Sequence, residues 1–255
     1  MPKNGDFKKL VRDRMAKTGE SYTSARMRMI RSGNSVEIES GPPLSPALPG
    51  KGGAEAMDAP ALYQLKITIV DIEPAIWRRV QVPAETTLDQ LHKTIQAVFG
   101  WWDYHLHQYV VDDRHYGLPD PEYSDELPEM FDERNVTLRD VLGADTIVYE
   151  YDFGDDWKHS VEIESVTMAS DPNVQYPVCT GGARACPRED CGGSPGYFRV
   201  LEILGDPMHE EYREMKTWVG KKYDPEKFDL VAIDRALRKL RKRPSGIRRG
   251  RGTRA

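Results

Sequence analysis

The sequence predicts an α+β fold: a mixed sheet with a β-grasp-like opening (hairpin, helix, strands), followed by a C-terminal helical subdomain. Three observations carry that expectation. Apolar and polar residues alternate over 63–69 and again over 76–82, the period of a half-buried strand. Leu88, Leu91, Ile95, Val98 and Phe99 then recur at the spacing of one helix face. Beyond residue 195 the alternation stops, and helix-start signals stand at Asp206-Pro207 and Asp224-Pro225. Strands, a helix, more strands and then helices make an α+β order rather than a run of βα units.

In the first strand Tyr63, Leu65, Ile67 and Ile69 face one way and Gln64, Lys66 and Thr68 the other. Glu73-Pro74 marks a turn, and Ile76, Arg78, Val80 and Val82 form the face of the second strand. Thr87 is placed to cap the helix, Gln90 completes a capping box, and Gly100 ends it. Residues 105–112 return as a strand, 118–135 read as an acidic, proline-containing loop, and 137–142 as a short helix. Ile147, Tyr149, Tyr151 and Phe153 share one strand face; Trp157, His159, Val161 and Ile163 share the next. The stretch 179–197 holds all three cysteines and five glycines, too much punctuation for a helix or plain strand, and reads as a structured loop. Residues 196–204 resume as a helix closed by Gly205.

Charge divides the chain further. Residues 1–32 carry a balance of +6, 33–234 of −21 and 235–255 of +10, for a net −5. Residues 1–32 read as a basic helical hairpin, 33–60 as a disordered linker, 61–242 as the folded domain and 243–255 as a disordered basic tail. An acidic centre repels phosphate, so weak nucleic-acid contact is expected only through residues 1–32 and 235–255. No apolar run is long enough to span a bilayer, and no apolar leader opens the chain. Three cysteines is an odd count for a disulfide framework. A cytoplasmic protein that does not engage a membrane is expected.

Candidate ligand-binding residues come from three segments. His105 and His107 alternate on one expected strand and would share a face. Asp155, Trp157 and His159 lie around the start of another strand, and Glu189 and Asp190 in the glycine-rich loop. Imidazoles beside carboxylates and aromatics suit recognition of a protein or small ligand. The same types suit a metal-dependent hydrolase using His107, His159, Glu189 and Asp190. A structural role also fits, with the histidines packed and the acids capping loop backbone. The leading expectation is a binding module rather than an enzyme. Cys179, Cys186 and Cys191 are spaced Cys-x6-Cys-x4-Cys. One interval suits zinc, the other does not, and a fourth ligand would be remote, His209 or His159. Zinc is the one cofactor this set would take; buried free thiols are the alternative. Asp152-Phe153-Gly154 spells a kinase magnesium motif without its companions, and the 192–196 glycine run lacks a P-loop lysine, so both read as turns. Trp101, Trp102 and Tyr104 follow the helix stop and either seal a core edge or present a flat surface.

Four segments, in order, carry a family resemblance: Tyr63-Gln-Leu-Lys-Ile-Thr-Ile with Pro74-Ala-Ile-Trp-Arg-Arg-Val; Phe99-Gly-Trp-Trp with His105-Leu-His-Gln-Tyr; Tyr151-Asp-Phe-Gly-Asp-Asp-Trp-Lys-His; and Cys186-Pro-Arg-Glu-Asp-Cys-Gly-Gly with Gly196-Tyr. Over about residues 61–240 the chain resembles the plasmid pRiA4b ORF-3-like family. Pro187-Arg188 departs from the paired prolines of that pattern. The resemblance implies an α+β domain in a bacterial, mobile-element-associated protein and brings no reaction with it.

Overall fold

The computed structural model describes residues 61–119 and 129–241. The expected hairpin at 1–32, the linker at 33–60 and the tail at 243–255 lie outside the described residues. The elements are β1 (Ala61–Ile69), β2 (Trp77–Pro83), α1 (Leu88–Phe99), β3 (His107–Val111), β4 (Arg114–Gly117), β5 (Met130–Asp132), a 3-10 turn (Glu133–Asn135), β6 (Ile147–Tyr151), β7 (Trp157–Met168), β8 (Val178–Ala183), α2 (Gly193–Gly205), α3 (Tyr212–Val219) and α4 (Leu230–Leu240). The strands form one sheet in the order β5-β4-β3-β6-β7-β1-β2-β8. Neighbours run antiparallel except β4 and β5, which are parallel, so the sheet is mixed.

Strand alternation divides the sheet into a packed face and a polar one. Leu65, Ile67, Val80 and Val82 are buried with Leu88, Leu91, Ile95 and Val98 of α1. Gln64, Lys66, Arg79 and Glu164 line the opposite face, where Arg79 Nε meets Glu164 at 2.6 Å. α1 forms as its sequence dictates: Thr87 and Gln90 complete the capping box, and Gly100 closes the helix at φ 80°. α4 lies against α1 and β8, the last strand in the sheet order.

Arg78 fixes the far end of α1 to the loop after β8. Its guanidinium is buried, donating to the carbonyls of Val98 (3.0 Å), Trp77 (2.8 Å), Ala183 (2.8 Å) and Arg184 (2.9 Å). The Phe99 and Phe228 rings lie 5.1 and 5.2 Å from its central carbon. Carbonyl dipoles and ring faces stand in for a carboxylate, and Val98 supplies the negative end of a helix dipole.

Four expectations are corrected. Residues 137–142 are a bridge and turns rather than a helix, with Thr137 paired to Thr87 and turns over 138–143. Leu138 N and Arg139 N donate back to Thr86 and Ala84, so their hydrogen bonds leave the segment instead of closing on it. The loop expected at 118–135 contains β5 and the 3-10 turn, and β4 precedes it. Part of the cysteine-bearing segment is β8, paired with β2 from Trp77↔Ala183 to Gln81↔Val178. The two Asp-Pro signals start turns, not helices: Asp206 accepts from Met208 N and Asp224 from Glu226 N, while Asp229 caps α4.

Candidate functional site

The site is built where three connections meet: the turn after α1, the β6–β7 turn, and the loop between β8 and α2. After Gly100 the chain splits its aromatics. Trp101 points inward, donates Nε1–H to Pro187 O at 3.1 Å and stacks on Tyr151 at 5.0 Å. Trp102 and Tyr104 point outward, 62% and 71% exposed, in an edge-to-face pair at 5.6 Å, and Leu106 is exposed beyond them. Glu189 bridges the loop to this turn. Both its oxygens accept from Trp102 N at 3.2 Å, and Oε1 accepts from the Tyr151 hydroxyl at 2.6 Å. That hydroxyl in turn accepts from Tyr104 N at 3.1 Å.

Asp152 ends β6 in a left-handed conformation, φ 55°. Its Oδ1 accepts from Gly154 N and Asp155 N at 2.9 and 3.2 Å. Its Oδ2 lies 3.6 Å from His105 Nε2, and Asp190 Oδ1 lies 3.2 Å from the same nitrogen. Burial, then the charge of Asp155, raise the Asp152 pKa. Asp155 Oδ2 accepts from Gly192 N at 2.9 Å and docks the glycine-rich loop on the β6–β7 turn. Side chains would not fit at this junction: a Cβ on Gly193 would strike Asp155 O, and one on Gly196 would strike Cys191 O. A shallow pocket of about 410 Å³ lies alongside, lined by Val70, Asp71, Asp155, Asp156, Ser194 and Phe198 among others.

The seven expected ligand residues therefore separate. His105, Glu189 and Asp190 converge at the rim, with Asp155 anchoring the loop behind them. His105 precedes β3, so it does not share a strand with His107. His107 stacks on His92 at 3.5 Å, with interplanar angle 6°, and its Nε2 lies 3.0 Å from the buried Glu133. His92 Nε2 meets Asp103 Oδ1 at 2.9 Å and Nδ1 meets the Tyr149 hydroxyl at 2.8 Å. The Asp103 carboxylate only accepts, so the neutral ring carries its proton on Nε2 and donates it there, and Nδ1 accepts from the Tyr149 hydroxyl, which itself accepts from Gln96. Burial, then His107, lower the His92 pKa to about 4. Trp157 and His159 are core residues. His159 sits edge-on to Phe99 and Trp101 at 5.0 and 5.1 Å, with Nδ1 3.3 Å from Tyr149 O, and burial lowers its pKa to about 3.

The expected three-sulfur set does not assemble. β8 carries Cys179 onto the sheet, with Sγ toward Gly181 O at 3.4 Å, while Cys186 and Cys191 belong to the loop that follows. Among the described residues, no cysteine joins two other donors within 4.8 Å. Burial pushes the Cys179 and Cys186 thiols up, against reactivity. His209 Nδ1 is occupied as acceptor for Glu211 N at 3.1 Å. At the basic C-terminus, Arg238 and Arg241 of the described part pair with Asp234 at 2.7 and 2.8 Å.

Sequence reasoning missed Asp152, read as turn chemistry, and Tyr151, read as a strand residue. Their one signal was the Asp-Phe-Gly-Asp-Asp turn, whose acids tolerate positive φ. The rim holds the exposed Trp102 and Tyr104 beside the Glu189 carboxylate; aromatic faces and carboxylates are both groups that can engage a cation. Among the described residues no helix is long and apolar enough to cross a membrane.

Comparison with known proteins agrees with the architecture. A protein from Sinorhizobium fredii (strain NBRC 101917 / NGR234), y4hQ, described as uncharacterized, is 36% identical over 181 residues, 69% of this chain and 91% of that one. The crystal structure of MM3350, a protein of unknown function from Methanosarcina mazei Go1, is similar with TM-score 0.61 and 39% identity, covering 68% of this chain and 97% of that one. The family model described as plasmid pRiA4b ORF-3-like protein matches residues 61–232, and the chain belongs to that family.

Proposed function

We propose that the protein is a binding module that recognises a positively charged segment of a partner protein at the rim formed by Trp102, Tyr104, Glu189 and Asp190. One observation carries the reading: Trp102 and Tyr104 are held outward by backbone hydrogen bonds to Glu189 and Tyr151, beside carboxylates. Large aromatics left in water on a fixed turn are well placed as anchors, because their faces are ordered before binding. The carboxylates add attraction for lysine and arginine, and the negative balance of residues 33–234 adds steering. Contacts of residues 1–32 and 235–255 with nucleic acid would be a separate, salt-sensitive activity, abolished by deleting residues 1–32 and 243–255.

Calorimetric titration of the full chain with a capped lysine-rich peptide tests the reading. Trp102→Ala with Tyr104→Ala should weaken binding by roughly tenfold or more, as loss of aromatic anchors does. Equal affinity in parent and double variant would mean that charge alone is being measured, and would overturn the proposal.

A further inference from the structure

We propose that His105, Asp152 and Asp190 form a binding site for a divalent transition-metal cation. The three side chains come from three different connections of the fold, yet their donor atoms lie within 4.8 Å of one another. His105 Nε2 is buried and has no hydrogen-bond partner, although two carboxylate oxygens stand 3.2 and 3.6 Å away. Neither contact is a hydrogen bond: the one at 3.6 Å is too long and the one at 3.2 Å is misaligned. A common ion explains the spacing better. Donors at about 2.1 Å from one ion stand about 3.0 Å apart in octahedral and about 3.4 Å apart in tetrahedral geometry.

The surroundings fit the same reading. Asp152 is buried, and its Oδ1 is taken by Gly154 N and Asp155 N, which leaves Oδ2 toward His105. Such backbone bonds orient a ligating carboxylate. The Asp190 side chain is 72% exposed, which keeps one side of the site accessible to solvent. One imidazole and two carboxylates, with no sulfur, suit Zn²⁺ or Mn²⁺. The second group of donors, His92, Asp103 and His107, does not fit an ion. Each of its imidazole Nε2 atoms already faces its own carboxylate, and the two rings lie parallel 3.5 Å apart, so their in-plane lone pairs do not meet at one point.

This site shares Asp190 with the peptide rim, but its test reads metal uptake directly and so stands or falls apart from peptide recognition. The test uses full-length protein stripped with a chelator. Co²⁺ is titrated in while its visible absorption is followed, and Zn²⁺ binding is measured by calorimetry. One equivalent per chain is expected. His105→Ala and Asp190→Asn should each lower affinity tenfold or more, and Zn²⁺ should raise the melting temperature of the parent by more than that of Asp190→Asn. Asn tolerates the positive φ of 59° at position 190, and the residue is exposed, so that variant should melt as the parent does without metal. Replacing Cys179, Cys186 and Cys191 together by serine should leave uptake unchanged, as should His107→Gln. No stoichiometric uptake would overturn the proposal. So would uptake undiminished in His105→Ala and Asp190→Asn, or a loss in His107→Gln as large as in His105→Ala.

Discussion

His159 shows how burial converts a titratable residue into a packing one. Its pKa lies near 3 because the charged ring would have no water, and that of His92 lies near 4 for the same first reason. Both shifts are downward, so the unfolded chain takes up protons first as the solution is acidified. Stability contributed by the neutral rings is complete above about pH 6.5 and drains away toward pH 4 and 3, at about 1.4 kcal/mol per pH unit for each proton. His159→Gln keeps a polar group but removes one of those protons. Denaturant titrations between pH 6.5 and 4 should show a shallower loss of stability in the variant, by about one proton's slope. Parallel curves would show that His159 is already charged in the folded protein. At Arg78 the buried head group satisfies four carbonyls at once. Arg78→Ala should lower stability by on the order of 3 kcal/mol or more in chemical denaturation, because those carbonyls lose their donor and the stacked rings their filler. A loss below about 1 kcal/mol would mean that water substitutes freely.

The glycine-rich loop works by letting backbone approach backbone. In the first turn of α2, Gly196 packs directly against Cys191 O, where a methyl group has no room, whereas a Cβ on Gly205 at the other end of the same helix meets nothing within 4 Å. Gly196→Ala should therefore destabilise by several times the ordinary surface change of about 0.5 kcal/mol, and Gly205→Ala should be neutral or slightly stabilising. Thermal melts of the pair decide it; equal effects would contradict the close approach. Elements with strong local signals were legible in the sequence: β1, β2 and α1 with its capping box and Gly100 stop. β4 and β5 were not, since four- and three-residue strands are too short to show a period. β8 was hidden because Gly181 and Gly182 read as loop; a Cβ on Gly182 would strike the Phe228 ring, so tertiary packing explains a glycine that local rules assign to a turn. Convergence of His105, Glu189 and Asp190 was within reach of the sequence. The diversion of His107 to Glu133 was not, because it depends on a 3-10 turn that the acidic composition concealed.

Across the whole molecule, the sheet has one face covered by helices and one polar face, and the rim stands at the end where three connections meet. On the proposed reading, the rim carboxylates and the acidic balance of residues 33–234 would draw positive charge, and the exposed Trp102 and Tyr104 would give it a fixed surface to meet. Binding of a cationic peptide should weaken as salt is raised, since exposed charges are screened beyond about 8 Å at physiological ionic strength, yet should retain an aromatic component at high salt. Complete loss on moderate salt addition would mark a purely electrostatic surface. The most direct test of the account is hydrogen exchange of the full chain with and without the lysine-rich peptide. Added protection is expected at residues 101–106 and 186–192 together. Protection confined to the polar face around Arg79 and Glu164, or spread evenly over the acidic surface, would contradict it.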